Sequence, residues 1–272
     1  MLSSLGDCTD TEIVIAQYVS GYFVTKITDE YGRGVFDYGG GWSSSYKQAL
    51  SKITKITIPK TINYIEKNTF RQLPALETVI IEGNYVKIEE GAFYRCPELK
   101  KVIILGESVE IGTSAFYQCS KLESVQIPES VVAIGYRAFY ECYNLKTLTL
   151  PSGLVSIGDE AFYNCGNLQS IEIPDGITSL GKLAFYQCSS LKSIVLPKSI
   201  GSIGATCFYR CGYFKTVYYK GTAEDWNKIT IEDDRDTYLA RATKYYYIEN
   251  EQDLPTDGGN YWHYVDGVPT AW

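Results

Sequence analysis

Pro128-Glu-Ser-Val-Val-Ala-Ile-Gly-Tyr-Arg-Ala-Phe-Tyr-Glu-Cys-Tyr-Asn-Leu-Lys-Thr-Leu-Thr-Leu150 decides the fold. Its end, Leu145-x-x-Leu148-x-Leu150, alternates apolar and polar residues. That puts Leu148 and Leu150 inside a short strand and Thr147 and Thr149 outside. Pro151 stops the strand because proline has no N–H for a ladder. Val131 and Ile134 form a second apolar pair, followed by Gly135, which is read as a residue of positive φ at a turn. In Arg137-Ala-Phe-Tyr-Glu-Cys142 the apolar spacing predicts one short helical or 3₁₀ turn, with Phe139 and Cys142 pointing inward beside Leu145.

The pattern recurs outward from this segment without a slip. Phenylalanine stands at 70, 93, 116, 139, 162, 185 and 208, a spacing of 23 residues. Three positions after each comes Leu73, Cys96, Cys119, Cys142, Cys165, Cys188 or Cys211. Three further on comes Leu76, Leu99, Leu122, Leu145, Leu168, Leu191 or Phe214. Gly112, Gly158, Gly181 and Gly204 repeat Gly135, whereas Glu66 and Glu89 hold that place in the first coils. A fixed period of this length means stacked coils, each unable to bury its apolar side alone. Each buried Phe or Leu contributes about 1.5–3 kcal/mol, so the core requires no cofactor. A core built by repetition also argues for a binding surface, since a catalytic site needs unlike groups converging on one point.

The consensus L-x-x-[VIL]-x-[IL]-P-x-x-[IVL]-x-x-I-G-x-x-A-F-Y-x-C resembles the BspA-like leucine-rich repeat family, best over residues 53–219. The segment Tyr218–Ile231 and the tail Gly259–Trp272 are similar to closing units of such chains from gut-dwelling Gram-positive bacteria. The resemblance implies an α/β repeat solenoid: a right-handed leucine-rich-repeat superhelix with a parallel β-sheet, 23-residue coils and irregular caps. It also implies an exported or cell-surface protein that adheres to host or bacterial partners, and it transfers no functional residue.

The expected organisation is an N-terminal cap (1–52), regular repeats (53–219) and a C-terminal cap (220–272). Residues 13–38 read as a degenerate first coil in which Phe36 stands for the repeat Phe, with inserts at Tyr31–Gly34 and Gly39–Ser45 before a strand at Ile53–Ile58. Thr222-Ala-Glu-Asp225 is a capping sequence for a short helix through Lys228. Ala242–Ile248 reads as a last strand covering the open edge of the sheet. Asp266-Gly267 between Tyr261–Val265 and Val268–Trp272 signals a hairpin that folds back as a cap.

A net charge of -7 argues against nucleic acid, which requires clustered Lys and Arg. No apolar run reaches the roughly 20 residues of a membrane-spanning helix, and Met1–Cys8 lacks the marks of a signal peptide. His263 is the only histidine, which removes most acid–base, metal and triad schemes. No catalytic residue, metal ligand or cofactor is assigned, and no oligomeric state. Glu232-Asp-Asp-Arg-Asp236 lacks the spaced ligands of a calcium loop and reads as a solvated charge cluster. His263, in an aromatic hairpin, reads as structural.

The cysteine column reads as inert core thiols, since buried Cys behaves as a small hydrophobe. Cys207 and Cys211 are the best disulfide candidate, and Cys8 falls outside the pattern. A tyrosine column (94, 117, 140, 163, 186 and 209) either shields the turn backbone or offers an aromatic strip to sugars or a protein. The outward strand positions Thr57, Ile80, Ile103, Gln126, Thr149, Glu172, Val195 and Tyr218 are the candidate ligand-binding column. Beside it runs a second column from Lys55 to Thr216. The expected partner is a protein of host matrix or bacterial surface, with a glycan as the alternative and a ligand-free scaffold as the third reading.

Overall fold

Alternation in the repeat produces two strands per coil rather than one. In the computed structural model, which describes residues 12–15, 18–19, 22–23, 26–27, 36, 38, 43–232 and 237–272, the first strands of successive coils, all but that expected at Leu145–Leu150, form a first parallel face. Its strands are β1 (Glu12–Val14), β2 (Lys55–Ile58), β3 (Thr78–Ile81), β4 (Lys101–Ile104), β5 (Ser124–Gln126), β6 (Ser170–Glu172), β7 (Ser193–Leu196) and β8 (Thr216–Tyr219). Neighbours pair in a register one coil apart: Ile80 opposite Ile103, Val195 opposite Tyr218. The second apolar pair of each coil, expected only as packing, is itself a strand, as in Tyr85–Ile88 paired with Ser108–Ile111. The second face arises because Val86, Ile88 and their equivalents point inward from their own ladder.

The third side of each coil is a ladder of turns. The expected helical turn is absent there, because two residues per coil adopt positive φ: Ser114 and Gln118, Arg137 and Glu141, Glu160 and Asn164, Leu183 and Gln187, Thr206 and Arg210. Left-handed residues break the helical hydrogen-bond pattern and turn N–H groups toward the next coil. Arg137, Phe139 and Glu141 accordingly donate to the carbonyls of Asp159, Ala161 and Tyr163. The repeat glycines, expected to carry the positive φ, do not have it. They are required by contact: a Cβ at Gly135 would lie 2.6 Å from the carbonyl carbon of Gly112, and one at Gly158 would lie 2.6 Å from Tyr136 N.

Between the three sides the Phe rings stack at 5.2–5.7 Å from Phe36 to Phe208. Phe36 thus extends the column into the degenerate first coil, where Lys26–Ile27 also pairs with Tyr64–Ile65. A helix, α1 (Ser44–Leu50), begins in the second insert; Ser43 caps it and Leu50 anchors it in the core. The rest of that insert and Tyr31–Gly34 lie outside the described residues, as do Cys8 and Asp233–Asp236.

At the far end, Phe214 stacks on Phe208 and closes the column. The capping box of Thr222 and Asp225 starts α2 (Ala223–Trp226). A further helix, α3 (Thr237–Arg241), precedes β9 (Thr243–Tyr247), which adds in parallel to β8 where a strand over Ala242–Ile248 is expected, but it does not close the sheet, because another strand pairs beyond it. β10 (Tyr261–Val265) continues that sheet and returns as β11 (Val268–Ala271). Asp266 and Gly267 both have positive φ, as a two-residue hairpin turn demands.

Both faces are interrupted in mid-solenoid. The first ladder stops at β5 and resumes at β6, so Thr147–Leu150 belongs to no strand. The second stops at Ser156–Ile157 and resumes at Ser179–Leu180. Only the turn ladder runs through.

Candidate functional site

The outward column divides in two at the C-terminal cap. Thr57, Ile80 and Ile103 are half-buried, Gln126 and Thr149 are exposed, and all five lie on the open part of the first face. Ile80 and Ile103 stand side by side on paired strands. Of the other three positions, Glu172 is exposed but held by the cap, Tyr218 is half-buried against it, and Val195 is buried. Val195, expected outward and accessible, is buried at 5% exposure. Its neighbours in the column explain this correction: Glu172 accepts a 2.7 Å hydrogen bond from the Tyr264 hydroxyl, and the Tyr218 ring lies 5.3 Å from Trp262. The hairpin β10–β11 therefore curls back across the outer face and seals its last coils. Trp262, fully buried, donates its indole N–H to the Tyr219 carbonyl at 3.0 Å and packs against Tyr247 and Tyr264.

A cleft of about 390 Å³ lies where the open and covered parts meet, lined by Glu129, Thr149, Glu172, Asp175 and Lys220 among others. A second hollow of about 380 Å³ shares Asp175 and Lys220 and is walled by Tyr247 and Tyr264. Lys220 bridges Glu172 at 2.9 Å and Asp175 at 3.2 Å. Burial works to lower its pKa, but the two carboxylates outweigh it, and the ammonium is held above the usual lysine range. Burial and the bond to Glu172 push the Tyr264 hydroxyl up as well. This cluster fastens the hairpin to the solenoid and leaves a charged rim beside Thr149.

The tyrosine column is stacked on itself. Rings from Tyr94 to Tyr186 lie 4.4–4.7 Å apart and nearly parallel, so each inner ring has both faces covered by its neighbours. Tyr209 ends the stack against the edge of Tyr238. What remains exposed is ring edge, which suits shielding of the turn backbone and removes the flat surface that a sugar ring stacks on.

The described cysteines are buried thiols, and no disulfide joins Cys207 to Cys211. Each column thiol donates to the Phe carbonyl of the preceding coil at 3.0–3.3 Å, as Cys142 does to Phe116. The carbonyls of Phe116, Phe139, Phe162 and Phe185 also accept the N–H of the cysteine in their own coil. Apolar packing alone was expected here; the weak S–H donor adds a coil-to-coil tie. Burial raises the thiols of Cys119, Cys142, Cys165 and Cys188, which keeps them protonated and unreactive. His263 stacks on Trp272 at 3.7 Å within the hairpin. No three His, Cys, Asp or Glu side chains among the described residues are grouped to hold a metal. No helix among them is long and apolar enough to cross a membrane.

None of the curated proteins matches this chain. Among solved structures, a leucine-rich repeat protein from Bacteroides ovatus aligns over 94% of this chain and 70% of its own, at 23% identity and a TM-score of 0.55. The leucine-rich repeat protein of T. pallidum is 32% identical over 48% of this chain, with a TM-score of 0.44. The aligned region spans 62% of the length of that T. pallidum protein. The family model for the BspA-type leucine-rich repeat region matches in six copies, over residues 43–153 and 109–234. With that match over most of its length and the repeat visible in strand, turn and core alike, the chain belongs to the BspA-type leucine-rich repeat family.

Proposed function

We propose that this chain is a non-catalytic, exported or cell-surface repeat protein that binds a protein partner of host matrix or bacterial surface through the open part of its first face. The contact residues are Thr57, Ile80, Ile103, Gln126 and Thr149. The observation that carries this reading is the outward Ile80–Ile103 pair, two β-branched apolar side chains in register, continued along the same column by Thr57 and the exposed Val14 and flanked by Lys101 and Gln126. An apolar centre within a polar rim is the usual anatomy of a protein interface. Repeat proteins commonly bind along such an extended face.

A second reading, glycan binding, draws support from the hollow beside Tyr247 and Tyr264, where carboxylates, an ammonium and aromatic rings meet. The two readings separate on an array of matrix proteins, mucins and free glycans probed with the labelled protein. Saturable binding to a protein, unaffected by free sugars, is expected. Binding to glycans alone would replace the first reading with the second, and silence across the array would favour a scaffold without its own ligand.

A further inference from the structure

We infer that the coil Thr147–Leu150 is a hinge, with the turn ladder as its spine, on which the two halves of the solenoid open and close the cleft at Thr149. Everywhere else on the first face, from β1 to β5 and from β6 onward, consecutive strands are joined by parallel ladders. Thr147–Leu150 has none, and its main-chain groups donate and accept no hydrogen bond to either neighbouring coil among the described residues. The nearest surviving tie on this face is Lys146 N to Glu123 O, stretched to 3.4 Å. One coil further on, the second face parts as well, between Ser156–Ile157 and Ser179–Leu180.

The third side behaves in the opposite way. Glu160, Phe162 and Asn164 donate to Lys182, Ala184 and Tyr186 at 2.7–2.9 Å, straight past the gap in the second face. Tyr140 and Tyr163 make the closest ring pair of the tyrosine column, 4.4 Å. At the junction that lacks both strand ladders, Tyr163 and Tyr186 stack at 4.6 Å and Phe162 and Phe185 at 5.3 Å, the same spacings as elsewhere in the two columns. The coils at this junction are therefore tied at the turns and untied at the strands. A repeat array holds together through nearest-neighbour interfaces, so a junction missing two of its three ladders is where it bends most easily.

The hairpin adds asymmetry. Its polar bonds reach Glu172 and Tyr219, both beyond the gap, and so stiffen only the C-terminal half. The cleft takes Glu129, Leu148 and Ser152 from the near side and Glu172, Asp175 and Lys220 from the far side. Motion about the turn ladder changes the distance between these walls, which makes the cleft the part of the surface whose shape the hinge controls.

Two measurements test this. Hydrogen exchange on the unmodified protein should find the amides of Leu148, Thr149 and Leu150 exchanging at least about tenfold faster than those of Val102–Ile104 and Ile194–Leu196. In a Cys8→Ser background, where the core thiols are too buried to label, spin labels go on two pairs three coils apart. Lys101→Cys/Ser170→Cys spans the gap and Lys55→Cys/Ser124→Cys lies on one side of it. Pulsed dipolar spectroscopy should give a distance distribution at least about twice as broad for the first pair. Equal protection of the three coils, or equal widths for the two pairs, overturns the inference. The exchange result stands even if a labelled variant does not fold.

Discussion

Glycine and left-handed backbone part company at the scale of single residues in this repeat. Gly158 is needed because the neighbouring coil leaves no room for a Cβ, whereas Thr206, at φ 54, holds a β-branched side chain in a conformation that glycine adopts more easily. Gly158→Ala is therefore expected to destabilise by about 1–3 kcal/mol through overpacking, and Thr206→Gly to stabilise by up to about 1 kcal/mol. Urea denaturation of both variants checks the pair; the reverse order would mean that the turn, not the contact, selects glycine. Recurrence alone marks a position as glycine but does not distinguish these two uses, which is why the positive φ was expected at the wrong residue. The cysteines carry a pH prediction. Their folded-state pKa values lie above those of the unfolded chain, which gives up its thiol protons from about pH 8.5. Stability is thus complete below that pH and falls as pH rises, by up to about 1.4 kcal/mol per unit for each buried thiol. Urea midpoints measured between about pH 8 and 10.5 should decline steadily; a flat profile would place the thiols in contact with water.

Strands, turns and the closing hairpin differ in how much of them the residues announce. The period places β2 to β8 and the Phe column, and the Asp266-Gly267 turn places β10 and β11. The second ladder of strands is harder to see, because two inward residues per coil also fit a packed loop. Val195 is harder still: alternation points it outward correctly, but what covers it is a hairpin distant in sequence and outside the repeat. The hairpin rests on Trp262, the largest fully buried side chain among the described residues. Trp262→Ala removes both that packing and the bond to Tyr219, a loss of about 3–5 kcal/mol in a core setting. Limited proteolysis of this variant should cut the polar stretch 249–260 rapidly and leave the preceding solenoid intact. Protease resistance equal to the parent chain would mean that β10 pairing alone holds the hairpin.

For the whole molecule, repetition explains why the fold is readable and the ligand is not. Every periodic position serves the core, the ladders or the turn spine, and recognition is left to outward residues under no common constraint. The candidate column was legible as a set of outward positions. Its division into an open part and a covered part was not, because that depends on the cap and on the interruption at Thr147–Leu150, whose residues are ordinary strand formers. The account rests on the open part of that face being the binding surface. The most direct test compares the parent chain with Ile80→Glu/Ile103→Glu, and with Val132→Glu/Val155→Glu on the second face, for binding to whichever protein the array identifies. All three should unfold at closely similar temperatures, since every altered side chain lies outside the core. Binding should fall by at least about tenfold for the first variant, the loss of roughly one hot-spot contact, and stay unchanged for the second. Full binding by Ile80→Glu/Ile103→Glu, with its fold intact, would contradict the account and move recognition off this face.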